Sequence, residues 1–214
     1  MWQAFAAECG RCTRCKGDGL LDPNAFPVLM KDPPRATDIL FILEAPNRDD
    51  TYNSKKRYLT VEPDTDPSGR FFHDLFINEL QFPLQHLFVT NSVLCLPAQK
   101  NGKYPVTSLQ QTNCERILRR MIDVFNPAVV CPLGTKALVA TARLEKHGHS
   151  KMATAVAKPT QWYGRTLFPL YHTSGQARNT RNGRPEHKQR EDWRSLRTAW
   201  QRSKAQQPPT ADWR

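Results

Sequence analysis

The chain has 214 residues, with 31 Lys and Arg against 20 Asp and Glu, a formal charge of +11. Hydrophobic residues at 39% and charged residues at 24% exclude a disordered chain, and the length suits one domain with short appendages. The basic excess points to a polyanionic partner rather than to a small acidic ligand alone.

No segment approaches the ~20 apolar residues that cross a bilayer, so no membrane association is expected. The start, Met1 to Glu8, has no basic region ahead of an apolar one. It reads as no secretory signal, and a cytoplasmic location follows as the expectation. Six cysteines in a reducing compartment are ligands, nucleophiles or core filler rather than disulfides.

The N-terminus carries Cys9-Gly-Arg-Cys12-Thr-Arg-Cys15-Lys16. Residues 17–37 are rich in Gly, Pro and Asp and read as loop. Asp38 to Leu43 is a continuous apolar run of strand length, suited to burial on both faces. The polar loop Glu44-Ala45-Pro46-Asn47-Arg48-Asp49-Asp50 follows at once, and loop continues to residue 68.

From Gly69, the spacing of Phe72, Leu75, Phe76 and Leu80 predicts a helix. Residues 86–94 give a second strand, and 95–107 a loop with Pro97, Gly102 and Pro105. Thr107 or Ser108 caps a helix whose inner face is Cys114, Ile117, Leu118, Met121, Ile122 and Phe125. Residues 128–132 form a third strand, and Gly134 opens a helix over 135–142. Residues 143–161 read as an irregular basic stretch. Residues 165–171 make a fourth strand ending in His172-Thr173-Ser174-Gly175, and 185–202 a last helix with Trp193, Leu196 and Trp200 on one face.

Alternation of strand and helix predicts an α/β sandwich with a central, four-stranded, mainly parallel sheet. Ligands of such sheets collect at loops leaving the strand C-termini, here 44–50, 91–107 and 172–184. The expected organisation is a single domain over 1–202, with the N-terminal cysteines included, and a basic tail over 203–214.

Cys12 and Cys15 sit among Arg and Lys, where burial in a core is a poor explanation. Cys95 directly follows a strand and Cys114 lies early in the next helix, so both can fold back onto that pair. Four thiolates suit tetrahedral zinc or a cubane cluster. The 18-residue separation of Cys95 and Cys114 favours the cluster over a zinc ribbon. Cys9 stands at the same spacing from Cys12 as Cys12 from Cys15 and stays a rival ligand; Cys131, inside a strand, reads as core.

The ordered set of Cys-x-x-Cys, strand plus Glu44-Ala45-Pro46, Val89-Thr90-Asn91 with Cys95, Cys114, Pro132-Leu133-Gly134 and Leu170-Tyr171-His172-Thr173-Ser174 resembles the iron–sulfur uracil-DNA glycosylases of the family four and five type. The resemblance spans roughly residues 12–200. It implies a three-layer α/β/α fold, a structural four-iron four-sulfur cluster on Cys12, Cys15, Cys95 and Cys114, and cleavage of the N-glycosidic bond of uracil in single- or double-stranded DNA by a monomer.

Beside that resemblance, the chemistry assigns roles. Reading an extruded base needs a donor and an acceptor on its Watson–Crick edge, which the Asn91 amide supplies. Charge developing on uracil O2 needs a donor, for which His172 is the candidate. Glu44 is placed to activate water or support the cationic sugar. Tyr58 is the candidate to stack on the base, ahead of Phe71 and Phe72. Ala45 and Asn47 share the substrate loop, and Ser174, Arg178 and Arg181 follow His172 where DNA phosphates would pass. Leu43, Asn47 and Thr173 depart from the family pattern, which keeps open an alternative: an iron–sulfur nucleic-acid-binding protein of the same fold without turnover.

Overall fold

The structure, a computed structural model, describes residues 2–34, 37–52 and 66–206. Its centre is a sheet in which Phe88–Asn91 (β2), Ile39–Leu43 (β1), Val129–Pro132 (β3), Arg165–Leu167 (β5) and Thr160–Trp162 (β4) lie side by side in that order. Strand β1 (Ile39–Leu43) lies between β2 (Phe88–Asn91) and β3 (Val129–Pro132), parallel to both. Strand β5 (Arg165–Leu167) extends the parallel set beside β3.

The apolar run of β1 has two faces because side chains alternate across a strand. Leu40 and Ile42 enter one core with Phe5, Leu118, Met121, Ala137 and Leu138. Ile39 and Phe41 enter the other with Phe72, Phe76, Trp193 and Leu196. Helices therefore cover both faces, and the layers are α/β/α.

On the first face pack α1 (Trp2–Gly10), α4 (Ser108–Phe125), α5 (Thr135–Leu144) and α6 (Met152–Ala155). Thr107 caps α4 in a reciprocal capping box with Gln110, which satisfies two otherwise orphaned N–H groups. Asn126, left-handed at φ 42°, ends the helix. The buried stripe Cys114, Leu118, Met121 and Ile122 follows the predicted spacing.

On the second face lie α3 (Pro67–Asp74), which continues as a π-helical turn over Leu75–Leu80, and α8 (Glu186–Gln206). Trp193 stacks on Phe41 with centroids 5.4 Å apart and meets Phe72 edge-on at 5.2 Å. Arg190 and Arg194 of α8 hold the buried Glu79 at 2.9 and 2.6 Å. Burial alone would raise the Glu79 carboxyl; the two guanidinium groups hold it below its ordinary value. The basic face of α8 is thus partly spent on fixing the helix to the π-helical turn.

The structure differs from the sequence expectation at several places: short helices at Arg48–Tyr52, Met152–Ala155 and Gly175–Asn179 stand where loop was expected, and the second and fourth expected strands shorten to Phe88–Asn91 and Arg165–Leu167. The sheet has five strands among the described residues, not four: β4 (Thr160–Trp162) pairs antiparallel with β5 inside the stretch expected to be irregular. Tyr163 and Gly164, both at positive φ, form the two-residue turn that suits a tight hairpin; three residues are too few to show a periodic pattern. Residues 2–10 form α1, which buries Phe5 and Cys9. The last helix runs through Gln206, past the expected end at 202, and residues 207–214 lie outside the described residues.

Among the described residues no helix is long and apolar enough to cross a membrane.

Candidate active site

Parallel pairing brings the ends of β1, β2 and β3 to one side of the sheet. Leu43 is in register with Asn91, and Ile42 with Pro132. The loops leaving these strands are then tied together by backbone bonds. Ser92 N–H donates to the Leu43 carbonyl at 2.8 Å and Val93 N–H to the Glu44 carbonyl at 3.1 Å. The Ser92 hydroxyl also donates to the Glu44 carbonyl, at 2.6 Å. Gly134 N–H donates to the Leu170 carbonyl at 2.8 Å, which fixes the His172 segment beside the start of α5.

Glu44, Gly134, Lys136, Tyr171, His172 and Ser174 share one cleft of ≈420 Å³, within the range of small-ligand sites. Burial raises the Glu44 carboxyl above its ordinary value, and the nearby Lys136 ammonium opposes that rise. Lys136 is itself anchored, donating to the Val106 carbonyl at 2.9 Å. Sequence reading missed Lys136; the signal was its place in the first turn of the helix that Gly134 opens.

His172 is held in one tautomer. Ser174 N–H donates to His172 Nδ1 at 3.1 Å, so in the neutral ring Nε2 carries the hydrogen. Burial lowers the imidazole below its ordinary value, with Asp66 pulling in the opposite direction. Asp66 also caps α3 through Ser68 and Gly69 N–H at 2.9 and 3.1 Å. Thr173 donates to the Ser68 carbonyl at 3.0 Å, so the departure from the family pattern at this position is an anchor to α3.

Asn91, 1% exposed at the end of β2, has neither amide atom hydrogen-bonded among the described residues. Leaving such a group buried costs about 1–3 kcal/mol. Ala45 packs against Val93, Val106 and Cys114. The exposed Asn47 is engaged locally: its side-chain oxygen accepts from Asp50 N–H at 2.8 Å, and Asp50 accepts from Asn47 N–H at 3.0 Å. This exchange starts the short α2 (Arg48–Tyr52). Tyr58 lies outside the described residues. Phe71 and Phe72 are both buried in the core on the second face of the sheet.

After His172, Ser174 caps α7 (Gly175–Asn179) by accepting from Ala177 N–H at 3.3 Å. Arg178 lies over the Phe71 ring at 4.4 Å and 3.5 Å from Glu186, whereas Arg181 is exposed. The segment returns tightly, with Arg184 N–H on the Ala177 carbonyl at 2.7 Å. A Cβ at Gly183 would come 2.2 Å from that carbonyl oxygen, so only glycine fits the crossing.

The cysteines come together away from this cleft. Leu20, Leu21, Asp22 and Val28 bond to the backbone of residues 94–98, and Asn113 Nδ2 donates to the Arg14 carbonyl and to Cys15 Sγ, each at 3.2 Å. Cys95 senses the charges of Cys114, Cys12 and Cys15, and burial plus that repulsion pushes its thiol up to about 12. Cys114, raised by burial to about 11, senses Cys15 and Cys12. Cys9 is buried in the α1 core. Its thiol, raised by burial to about 12, senses Cys12 and Cys114. Cys131 is wholly buried in β3. Among the described residues no three side chains close on one point tightly enough to hold a single ion.

A mainly parallel sheet, a cleft at its strand ends holding a carboxylate and an imidazole, and a thiol-rich N-terminal clip define the class. Residues 30–197 match the uracil DNA glycosylase superfamily, and the chain belongs to it. It is similar to the Type-4 uracil-DNA glycosylase of Thermotoga maritima, at 26% identity over 173 residues, covering 80% of this chain and 81% of the relative.

Gly134 stands at φ 88°, ψ 170°, a region nearly restricted to glycine, where another residue costs about 1–3 kcal/mol. Its added Cβ would lie 3.6 Å from His172 Cβ. Gly134→Ala is therefore expected to lower stability by about that amount in denaturant titrations and to move the His172 ring resonances.

Proposed function

We propose that the chain excises uracil from DNA by hydrolysing the N-glycosidic bond. The observation that carries this reading is Asn91: a buried amide at the strand end with no hydrogen-bond partner among the described residues. One donor and one acceptor side by side answer uracil O4 and N3–H. Binding the base offsets the desolvation that the unpaired amide carries.

In the reaction the bond between sugar C1′ and uracil N1 breaks, and its electron pair leaves with the base. Negative charge spreads to uracil O2, and the sugar becomes an oxocarbenium cation. His172 Nε2–H donates to O2. Its neutral ring is a donor at that atom because Nδ1 is occupied as the acceptor of the Ser174 N–H, which leaves the hydrogen on Nε2. Glu44 orients the attacking water, accepts its proton and offsets the sugar cation while C1′–O forms. Tyr58 is proposed to stack on the base, Ala45 and Asn47 to border it, and Ser174, Arg178 and Arg181 to approach the phosphates. Arg181 is the more available cation of that pair, since Arg178 is occupied by Phe71 and Glu186.

Cys12, Cys15, Cys95 and Cys114 are the proposed ligands of a four-iron four-sulfur cluster. Support comes from the approach of Cys12 and Cys15 to Cys95 and Cys114, close enough to raise the charge cost of the latter two thiols. Four cysteine sulfurs are the donor set that such a cluster takes. Asn113 donating to Cys15 Sγ is the kind of sulfur hydrogen bond that tunes it. The cluster supplies a cross-link between the N-terminal segment and the Cys95–Cys114 loop.

Incubation with a uracil-containing oligonucleotide should leave abasic sites; DNA binding without any excision would instead favour the non-catalytic alternative. His172→Ala should lower the single-turnover rate by ~10²–10³ with DNA affinity little changed. Lys136→Met should raise the Glu44 carboxyl further, since the opposing ammonium is gone. The acid limb of the rate profile that depends on Glu44, facing His172 in the same cleft and with Asp66 beyond it, should then move to higher pH. Lys136→Arg should restore it. Metal analysis should find iron and sulfide; stoichiometric zinc without iron would reject the cluster.

A further inference from the structure

A second cleft, of ≈250 Å³, lies between the end of α1, the cysteine-bearing segment and the outer face of α4. Its wall carries Arg11, Arg14, Arg116 and Arg120 against one carboxylate, Glu8. All four guanidinium groups belong to exposed residues. Arg120 is paired with Glu8, and Arg14 donates to the Asn113 carbonyl at 3.2 Å. Arg11 and Arg116 form no ion pair among the described residues. Phe5 and Ile117 supply apolar surface in the same cleft.

Glu8 offsets the charge of Arg120, and the remaining like charges around the concavity favour a further anion among them. Guanidinium groups fit phosphate oxygens in bidentate fashion, and the apolar surface suits the sugar faces between phosphates. The cleft also lies within reach of the catalytic one. Gln111, in the first turns of α4, donates to the Lys136 carbonyl at 2.8 Å, and Lys136 lines the catalytic cleft. From Gln111, Arg116 is five residues along the helix and Arg120 nine, a rise of about 7.5 and 13.5 Å. At about 3.4 Å per nucleotide step along a strand, that is about two to four nucleotides.

We propose that the Arg11–Arg14–Arg116–Arg120 cleft is a second DNA-backbone site, holding phosphates of the substrate strand beyond the extruded nucleotide. It rests on the glycosylase reading only in taking DNA as the polyanion. Its function is to extend the footprint along α4, so that affinity grows with strand length while the chemistry stays in the Glu44–His172 cleft. The cysteine segment then has two roles: its thiols staple the loop, and its arginines grip the strand.

The test uses the metal-loaded full chain and two double variants, Arg11→Gln with Arg116→Gln and Arg11→Glu with Arg116→Glu. Affinity for a long oligonucleotide is measured against salt, and excision is measured on that strand and on a uracil trinucleotide. The log–log salt slope is expected to fall by about 0.7–0.9 for each phosphate the variant no longer neutralises. Long-strand affinity should drop, and trinucleotide excision and iron content should stay at wild-type values. An unchanged slope and affinity overturns the proposal. So does a fall in iron content with no change in slope, which would make the arginines counter-charges of the cluster instead. If wild type binds DNA with an arginine-dependent slope yet excises nothing, the cleft stands and the glycosylase reading falls. If wild type excises uracil and length adds no affinity, the reverse holds.

Discussion

Strand β1 is hydrogen-bonded on both edges and buried on both faces, and the rest of the molecule is arranged around that constraint. A parallel strand cannot reach its neighbour by a tight turn; each connection must cross back over the sheet. All loops leaving the carboxyl ends of β1, β2 and β3 therefore emerge together. Glu44, Asn91 and Gly134 stand at the same end of the sheet for that reason, although they are far apart in the chain, and Glu44 and Gly134 share one cleft. His172 joins them because the segment after β5 continues the parallel direction through the Leu133–Leu170 bridge.

Burial sets the electrostatics of the cleft in opposite directions for its two titrating groups. It disfavours charge on both, which raises the carboxyl of Glu44 and lowers the imidazole of His172. Each is countered by one neighbour, Lys136 for the carboxylate and Asp66 for the ring. In the proposed hydrolysis the two groups divide the work within one cleft: Glu44 takes a proton and His172 donates a hydrogen bond to the departing anion. Separate elements supply the counter-charges, α5 for Lys136 and the cap of α3 for Asp66, so the cleft is tuned by the helices on both faces of the sheet.

The N-terminal segment has no sheet of its own and is fixed from outside. Backbone bonds from residues 20–28 to residues 94–98 and the Asn113 contacts hold it against the β2–α4 connection. That connection starts at Asn91 and passes Val106, whose carbonyl anchors Lys136. The thiol clip is thereby joined, through that connection, to the strand end at Asn91 and to Lys136, which lines the Glu44–His172 cleft.

Strand β1, the amphipathic α4 and the polar loops at strand ends were legible in the sequence because each is a local property: a run, a period or a cap. That Cys95 and Cys114 could fold back toward the N-terminal cysteines was readable from their places in the chain, as were the strand-end positions of Asn91 and His172, whereas the ligand set itself rested on the family resemblance. Strand β4 was not, because a three-residue edge strand carries no period and is defined by its partner. The helix at residues 2–10 was overlooked, although Trp2, Phe5, Ala6 and Cys9, all set against the core, stand at helical spacing. The roles of Lys136, Asp66 and Arg178 depended on which helices pack together, and Arg178 ended against Phe71 and Glu186 for that reason. Local sequence thus determined the elements and the chemistry available at their ends; three-dimensional packing decided which groups face one another, because burial and charge act through distances that the chain order does not contain.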